Sequence, residues 1–203
     1  MADPLRAESF PLRRRNVAKQ IHDAGGEELL IITGLGSTNW DFTAAGDCER
    51  IFPLWGAMGG AIPLGLGLAI AQPKKRILVA TGDADTLMGL GSLATVAVQM
   101  PDNLTITVFD NERYGETGMQ ATATAYGADI AGIAASSGIP VTATVREQSE
   151  LDLAIPKMLR GRGPAVFVIK VRAENLPFVL PPKDGAYLKD RFRIALLGDA
   201  GIV

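Results

Sequence analysis

Two short segments of this 203-residue chain carry acid and amide groups where an apolar run ends: Gly82-Asp83-Ala84-Asp85 after "RILVAT", and Asp110-Asn111 after "LTITVF". A carboxylate from Asp83, an amide oxygen from Asn111 and nearby backbone carbonyls form a hard-oxygen donor set, which suits Mg²⁺ bridging to phosphate oxygens. Gly82 lets the backbone turn sharply and approach a ligand. The helix that should follow offers unpaired amides at the positive end of its dipole. The chemistry implied is the seating of a phosphorylated cofactor through a metal ion. The same residues also read as punctuation, with Asp83 and Asp85 capping a helix and Asp110 and Asn111 opening a turn.

Delivering both segments to one place requires strands that end side by side. Runs at "ELLIITG", "RILVATG", "LTITVFD", "PVTATV" and "PAVFVIKV" are short, rich in Val, Ile and Thr, and nearly continuously apolar, as strands covered on both faces are. Helical patterns at 12–24, 58–71, 86–99, 129–137 and 147–160 alternate with them. The pattern predicts an α/β domain, a doubly wound parallel sheet with helices on both faces, spanning residues 1–203 as a single domain. Residues 173–203 lack a strand of their own and read as a proline-punctuated tail that wraps the surface or meets another chain. In open parallel sheets ligands collect outside the carboxyl ends of the strands, where both acidic segments fall.

Composition narrows the function classes. With 47% hydrophobic residues the chain can bury one sizeable core. A net charge of −2 gives no field for capturing nucleic acid or an acidic membrane, and the one dense basic run, Arg13-Arg14-Arg15, reads as a solvated helix face. Cys48 and His22 are single residues of their type, so no disulfide within the chain is possible and nothing points to a zinc cluster, and a reducing cytoplasmic setting is expected. The most apolar segment, 57–71, is glycine-rich and too short to span a bilayer. The motif "GLGSLA" at 89–94 has dinucleotide-fingerprint spacing but falls inside a helical pattern, and no G-x-x-x-x-G-K phosphate loop occurs.

Gly82-Asp83-Ala84, the 25 residues Asp85 to Phe109, and Asp110-Asn111 together resemble the thiamine diphosphate signature, GDG followed at similar spacing by NN. "LWGAMGGAIPLGLGLAIAQP" and "NERYGETG" are similar to the flanking segments in acetolactate synthase and related decarboxylases. The wider chain is most similar to the small subunit of the sulfopyruvate and phosphonopyruvate decarboxylase family. Two positions depart from the signature: Ala84 stands for its third Gly and Asp110 for its first Asn. The resemblance implies a thiamine diphosphate-binding fold in which Asp83, the side chain of Asn111 and the carbonyl of Arg113 hold Mg²⁺. The amides of Ala84 and Asp85 would contact the diphosphate. It makes Met58, 25 positions before Asp83, the apolar wedge that keeps thiamine bent, with Gly56 and Ala57 beside it; a core methionine at a helix start is the alternative. Gly34 and Ser37, in "GLGST", would add diphosphate contacts or form an ordinary turn. Glu112, Tyr114, Gly115 and Glu116 lie just past the metal loop, where Glu112 and Glu116 either face substrate or are solvated loop carboxylates.

The resemblance covers only the diphosphate-binding half of such an enzyme. It therefore implies a separate pyrimidine-domain subunit that supplies the glutamate for ring nitrogen N1′, a site between subunits, and a small 2-oxoacid as substrate. The surface facing that partner should include 58–71 and 112–126. The expected activity is a thiamine diphosphate- and Mg²⁺-dependent decarboxylase (lyase). A carboligase that passes the same intermediate to a second carbonyl, and a non-catalytic binding subunit, remain open alternatives.

Overall fold

A computed structural model describes residues 5–202, without the side chains of Asp199 and Ile202; the ends of the expected 1–203 span lie outside the described residues. Among the described residues eight strands form: β1 (Leu29–Thr33), β2 (Ile51–Pro53), β3 (Arg76–Gly82), β4 (Leu104–Asp110), β5 (Arg113–Tyr114), β6 (Gln120–Ala121), β7 (Val141–Val145) and β8 (Ala165–Lys170). Six of them make one sheet in the order β2-β1-β3-β4-β8-β7, with every neighbouring pair parallel. The β5–β6 pair is a separate antiparallel ribbon. β1 and β4 are buried along their whole length, which explains their unbroken apolar runs.

Helices cover both faces: α1 (Arg14–Gly25), α2 (Ser37–Gly46), α3 (Ala61–Ala71), α4 (Asp83–Met88), α5 (Ser92–Gln99), α6 (Ile130–Ser136), α7 (Gln148–Arg160) and α8 (Gly185–Leu197). One core packs α1, α2 and α7 on the sheet through Val17, Ile21, Phe42, Leu151 and Met158. The other packs α3, α5, α6 and α8 through Ile62, Leu66, Leu93, Ile130 and Phe192. From β1 the chain moves outward to β2 and then crosses to β3 on the other side. The ends of β1 and β3 therefore form the topological switch point, where a crevice opens in sheets of this kind.

The expected helix over 86–99 is two helices. Gly89 ends α4 because its backbone packs directly on Gly59, where a Cβ on either residue would meet the other's main chain. The expected helix over 58–71 begins only at Ala61, since residues 57–60 form a turn with Gly59 at φ +83°. Five elements went unread in the sequence, two of them the two-residue strands β5 and β6. β2 has three residues, α2 mixes polar and apolar groups without a clear stripe, and α8 lies in the segment expected to be tail. The Asp184 carboxylate starts α8 by accepting from the amides of Ala186 (2.9 Å) and Tyr187 (3.1 Å). Before it, residues 173–184 run without regular structure over α1: Ala173 donates to the Ala7 carbonyl, Arg15 donates to the Pro177 carbonyl, and Phe178 lies edge-on to Trp40.

Candidate functional site

The register of β3 on β4 pairs Gly82 with Phe109, so Asp83 and Asp110 emerge side by side at the sheet edge. Both are buried. Burial raises the Asp83 carboxyl to about 7, and the nearby Asp110 charge pushes the same way, against the hydrogen bonds from Thr122 and Thr124. Those two hydroxyls reach Asp83 Oδ2 at 2.5 and 3.0 Å from the turn after β6. Register also sets Lys170 of β8 beside Asp110, where its ammonium donates to Oδ2 at 2.7 Å. Asn111 follows, its Oδ1 accepting from the Arg113 amide at 3.0 Å, while Asp110 Oδ1 accepts from the Glu112 amide at 3.1 Å. Glu112 sits between them at φ +59°, a left-handed conformation that reverses the chain and brings β5 back over the strand ends.

A cleft of about 230 Å³ opens at this edge, lined among others by Gly36, Ser37, Thr38, Met58, Gly82, Asp83, Ala84, Asp85, Asn111, Arg113, Tyr114, Gly115 and Glu116. The sequence-derived set is thus brought together with four exceptions. The start of α2 forms one wall, and no side chain caps its first turn; the Asn39 amide donates to the Gly36 carbonyl at 3.0 Å, which leaves the amides of Ser37 and Thr38 as the ones an anion could use. Met58 stands on the turn before α3. The Gly59 amide anchors that turn to Asp85 Oδ1, and Thr81 Oγ1 donates to Asp85 Oδ2. Burial raises the Asp85 pKa, against both of those bonds. Glu116 reaches over α2, its Oε1 accepting from Trp40 Nε1 at 3.0 Å.

Gly34, Gly56, Ala57 and Glu112 do not line the cleft. Gly34 serves a close approach instead: a Cβ there would overlap Asp85 Oδ2 and stand 2.8 Å from Thr81 Oγ1. Gly56 and Ala57 are exposed. For Glu112 the expectation of a substrate-facing or solvated carboxylate is corrected. Its side chain is fully buried on the far side of the loop, accepting from Arg6 Nη2 at 2.7 Å and Lys170 Nζ at 2.9 Å. Burial alone would raise its pKa; Arg6 and Lys170 outweigh that and lower it. The reading of Arg13-Arg14-Arg15 as a solvated face is also corrected at its middle residue. Arg13 is exposed and paired with Glu174, but Arg14 is buried, lines the cleft and donates to Asp41 Oδ2 at 2.7 Å. Neither Arg14 nor Asp41 was legible as a cleft residue, because α2 itself was not.

Among the described residues no three His, Cys, Asp or Glu side chains gather as a metal cage. A hard cation here would rest on Asp83, an amide oxygen and carbonyls, and would complete its shell with ligand oxygens, as Mg²⁺ does when bound through one or two carboxylates plus phosphate. The donor set fits that role. A cation would also relieve the crowding of two buried carboxylates.

Fold and cleft together define an α/β domain with an oxygen-rich site at the switch point of a parallel sheet. The model of the thiamine pyrophosphate enzyme C-terminal TPP-binding domain matches residues 39–169, and the chain belongs to that family. It is 34% identical over 163 residues to a protein named sulfopyruvate decarboxylase subunit beta from Methanocaldococcus jannaschii, covering 80% of this chain and 86% of that one. It is 31% identical to a phosphonopyruvate decarboxylase from Streptomyces viridochromogenes, covering 95% of this chain but 48% of that one. Among solved structures, benzoylformate decarboxylase from Polynucleobacter necessarius shares the fold with a TM-score of 0.67 at 17% identity, over 84% of this chain and 35% of that one. No helix among the described residues is long and apolar enough to cross a membrane.

Proposed function

We propose that this chain is the thiamine diphosphate-binding subunit of a cytoplasmic 2-oxoacid decarboxylase. The observation that carries the reading is the meeting of Asp83, Asn111, the uncapped start of α2 and Met58 on one cleft. Asp83, the Asn111 side chain and the Arg113 carbonyl hold Mg²⁺, while Gly82 and the amides of Ala84 and Asp85 receive the diphosphate. Ser37 and Gly115 flank that seat, and Tyr114 and Glu116 form its outer lip. Thr122 and Thr124 keep the Asp83 carboxylate aimed by fixing one of its oxygens. Asp85 holds the Met58 turn through the Gly59 amide, so the apolar wedge and the anion seat are positioned by a single residue. Bound there, thiamine diphosphate supplies an electron sink for loss of CO₂ from a 2-oxoacid.

A separate pyrimidine-domain subunit closes the other wall and provides the carboxylate for N1′. The name subunit beta on relatives matched over 86% of their length supports this, as do the exposed Leu64, Ile70, Met88, Val98 and Met100 on α3 to α5 and Tyr114 and Tyr126 past the metal loop. An obligate interface of this sort buries more than roughly 2,000 Å² in total. The test is CO₂ release from sulfopyruvate, phosphonopyruvate and pyruvate by the chain alone and after mixing with a pyrimidine-domain subunit. Turnover is expected only in the mixture and only with thiamine diphosphate and Mg²⁺. Substantial turnover by the chain alone would overturn the two-subunit assembly, and none in the reconstituted mixture would overturn the decarboxylase.

A further inference from the structure

Arg14 is the one side chain of the Arg13–Arg15 run turned inward, and it is only 4% exposed. A guanidinium carries five N–H donors in a fixed fork, and burying it without partners for them is costly. Its described hydrogen bonding is a single contact, Nη1 to Asp41 Oδ2 at 2.7 Å, and its buried Nε has no partner. Asp41 cannot neutralise the group alone, since its other oxygen also accepts from Arg15 Nε at 3.2 Å. Two guanidiniums thus share one carboxylate, leaving a surplus positive charge. Arg14 and Asp41 both line the cleft, on the wall formed by the start of α2. Arg191 also has a buried Nε without a partner in its pair with Asp47, but that pair lies away from the cleft; Arg14 and Asp41 place the unpaired donor and the surplus charge among the cleft-lining residues.

We propose that Arg14 is an oxyanion-reading residue of this cleft, its guanidinium held by Asp41 and completed by a phosphoryl, phosphonate or sulfonate group of the ligand. Fork geometry suits a tetrahedral oxyanion better than an ammonium would, because two N–H groups can reach two oxygens at once. The oxyanion comes either from the diphosphate of the cofactor or from the acid tail of the substrate. Only that choice of source rests on the proposed decarboxylase function; the anion site itself does not.

The test uses the ¹⁵N-labelled full chain and the Nε–Hε resonance of Arg14, assigned by its loss in Arg14→Lys. Inorganic pyrophosphate with Mg²⁺ is titrated in one arm, methylphosphonate and methanesulfonate in another. A saturable shift of this resonance is expected in wild type, and isothermal titration of the same ligands should read an affinity at least tenfold weaker in Arg14→Lys and unchanged in Arg13→Lys, whose side chain is exposed on Glu174. A shift with pyrophosphate alone assigns Arg14 to the cofactor, and one with the phosphonate or sulfonate assigns it to the substrate tail. If Arg14→Lys does not fold, the double variant Arg14→Gln, Asp41→Asn removes both charges together and replaces it. An unmoved resonance in both arms, or equal affinity in wild type and variant, would overturn the proposal. Failure of CO₂ release with the shift intact would count against the decarboxylase and leave the oxyanion site standing.

Discussion

Glu112 separates a structural from a catalytic carboxylate within one loop. Glu112→Gln keeps the length of the side chain and the left-handed backbone at φ +59° but removes the charge that faces Arg6 and Lys170. Deleting one partner of a buried ion pair costs about 3–5 kcal/mol. Here two features pull toward the low end: Lys170 keeps Asp110 at 2.7 Å, and the Arg6 side chain is 37% exposed and can rehydrate. The expected loss is about 3 kcal/mol, and at roughly 2–4 °C per kcal/mol for a domain of this size the melting temperature should fall by about 6–12 °C. Thermal unfolding followed by circular dichroism reads this directly. Because the carboxylate points away from the cleft, affinity for thiamine diphosphate at a temperature where the variant is folded should change less than about threefold. An unchanged melting temperature together with a hundredfold loss of turnover would refute the placement and return Glu112 to the reacting centre.

Met58→Ala should lower kcat more than it weakens cofactor affinity in the reconstituted enzyme, since Asp83, Asn111 and the start of α2 are untouched; equal losses of stability and activity would mark Met58 as plain core. Gly34→Ala drives a methyl into Asp85 Oδ2 and should cost about 1–3 kcal/mol in urea unfolding while displacing the Met58 turn, and a variant as stable as wild type would show that Asp85 can move aside.

The sheet was legible because β1, β3, β4, β7 and β8 are apolar runs punctuated by glycine or acid, and the site was legible because its acids stand at two of those ends. What the sequence hid was hidden for physical reasons. α2 begins at a glycine with no side-chain cap and shows no clear apolar stripe, so its amide wall could not be seen. Once α2 is missed, nothing on the sequence tells Arg14 from its neighbours: all three arginines look alike until the fold buries Arg14 against Asp41 at the cleft. The break between α4 and α5 depends on Gly59, 30 residues before Gly89, a tertiary contact that periodicity cannot carry. Glu112 looked like a loop carboxylate because Arg6 and Lys170, which bury and pair it, lie 106 and 58 residues away.

The central claim is that this chain supplies the metal and diphosphate half of a thiamine diphosphate site. Isothermal titration of thiamine diphosphate into the chain together with its pyrimidine-domain partner, with and without Mg²⁺, tests it most directly when run on wild type, Asp83→Ala and Asn111→Ala. Mg²⁺-dependent binding is predicted for wild type and its loss in both variants, with native far-ultraviolet circular dichroism retained, because the two side chains stand at the lip of the sheet and contribute ligation more than packing. Unchanged affinity in either variant, or wild-type binding indifferent to Mg²⁺, would contradict the account.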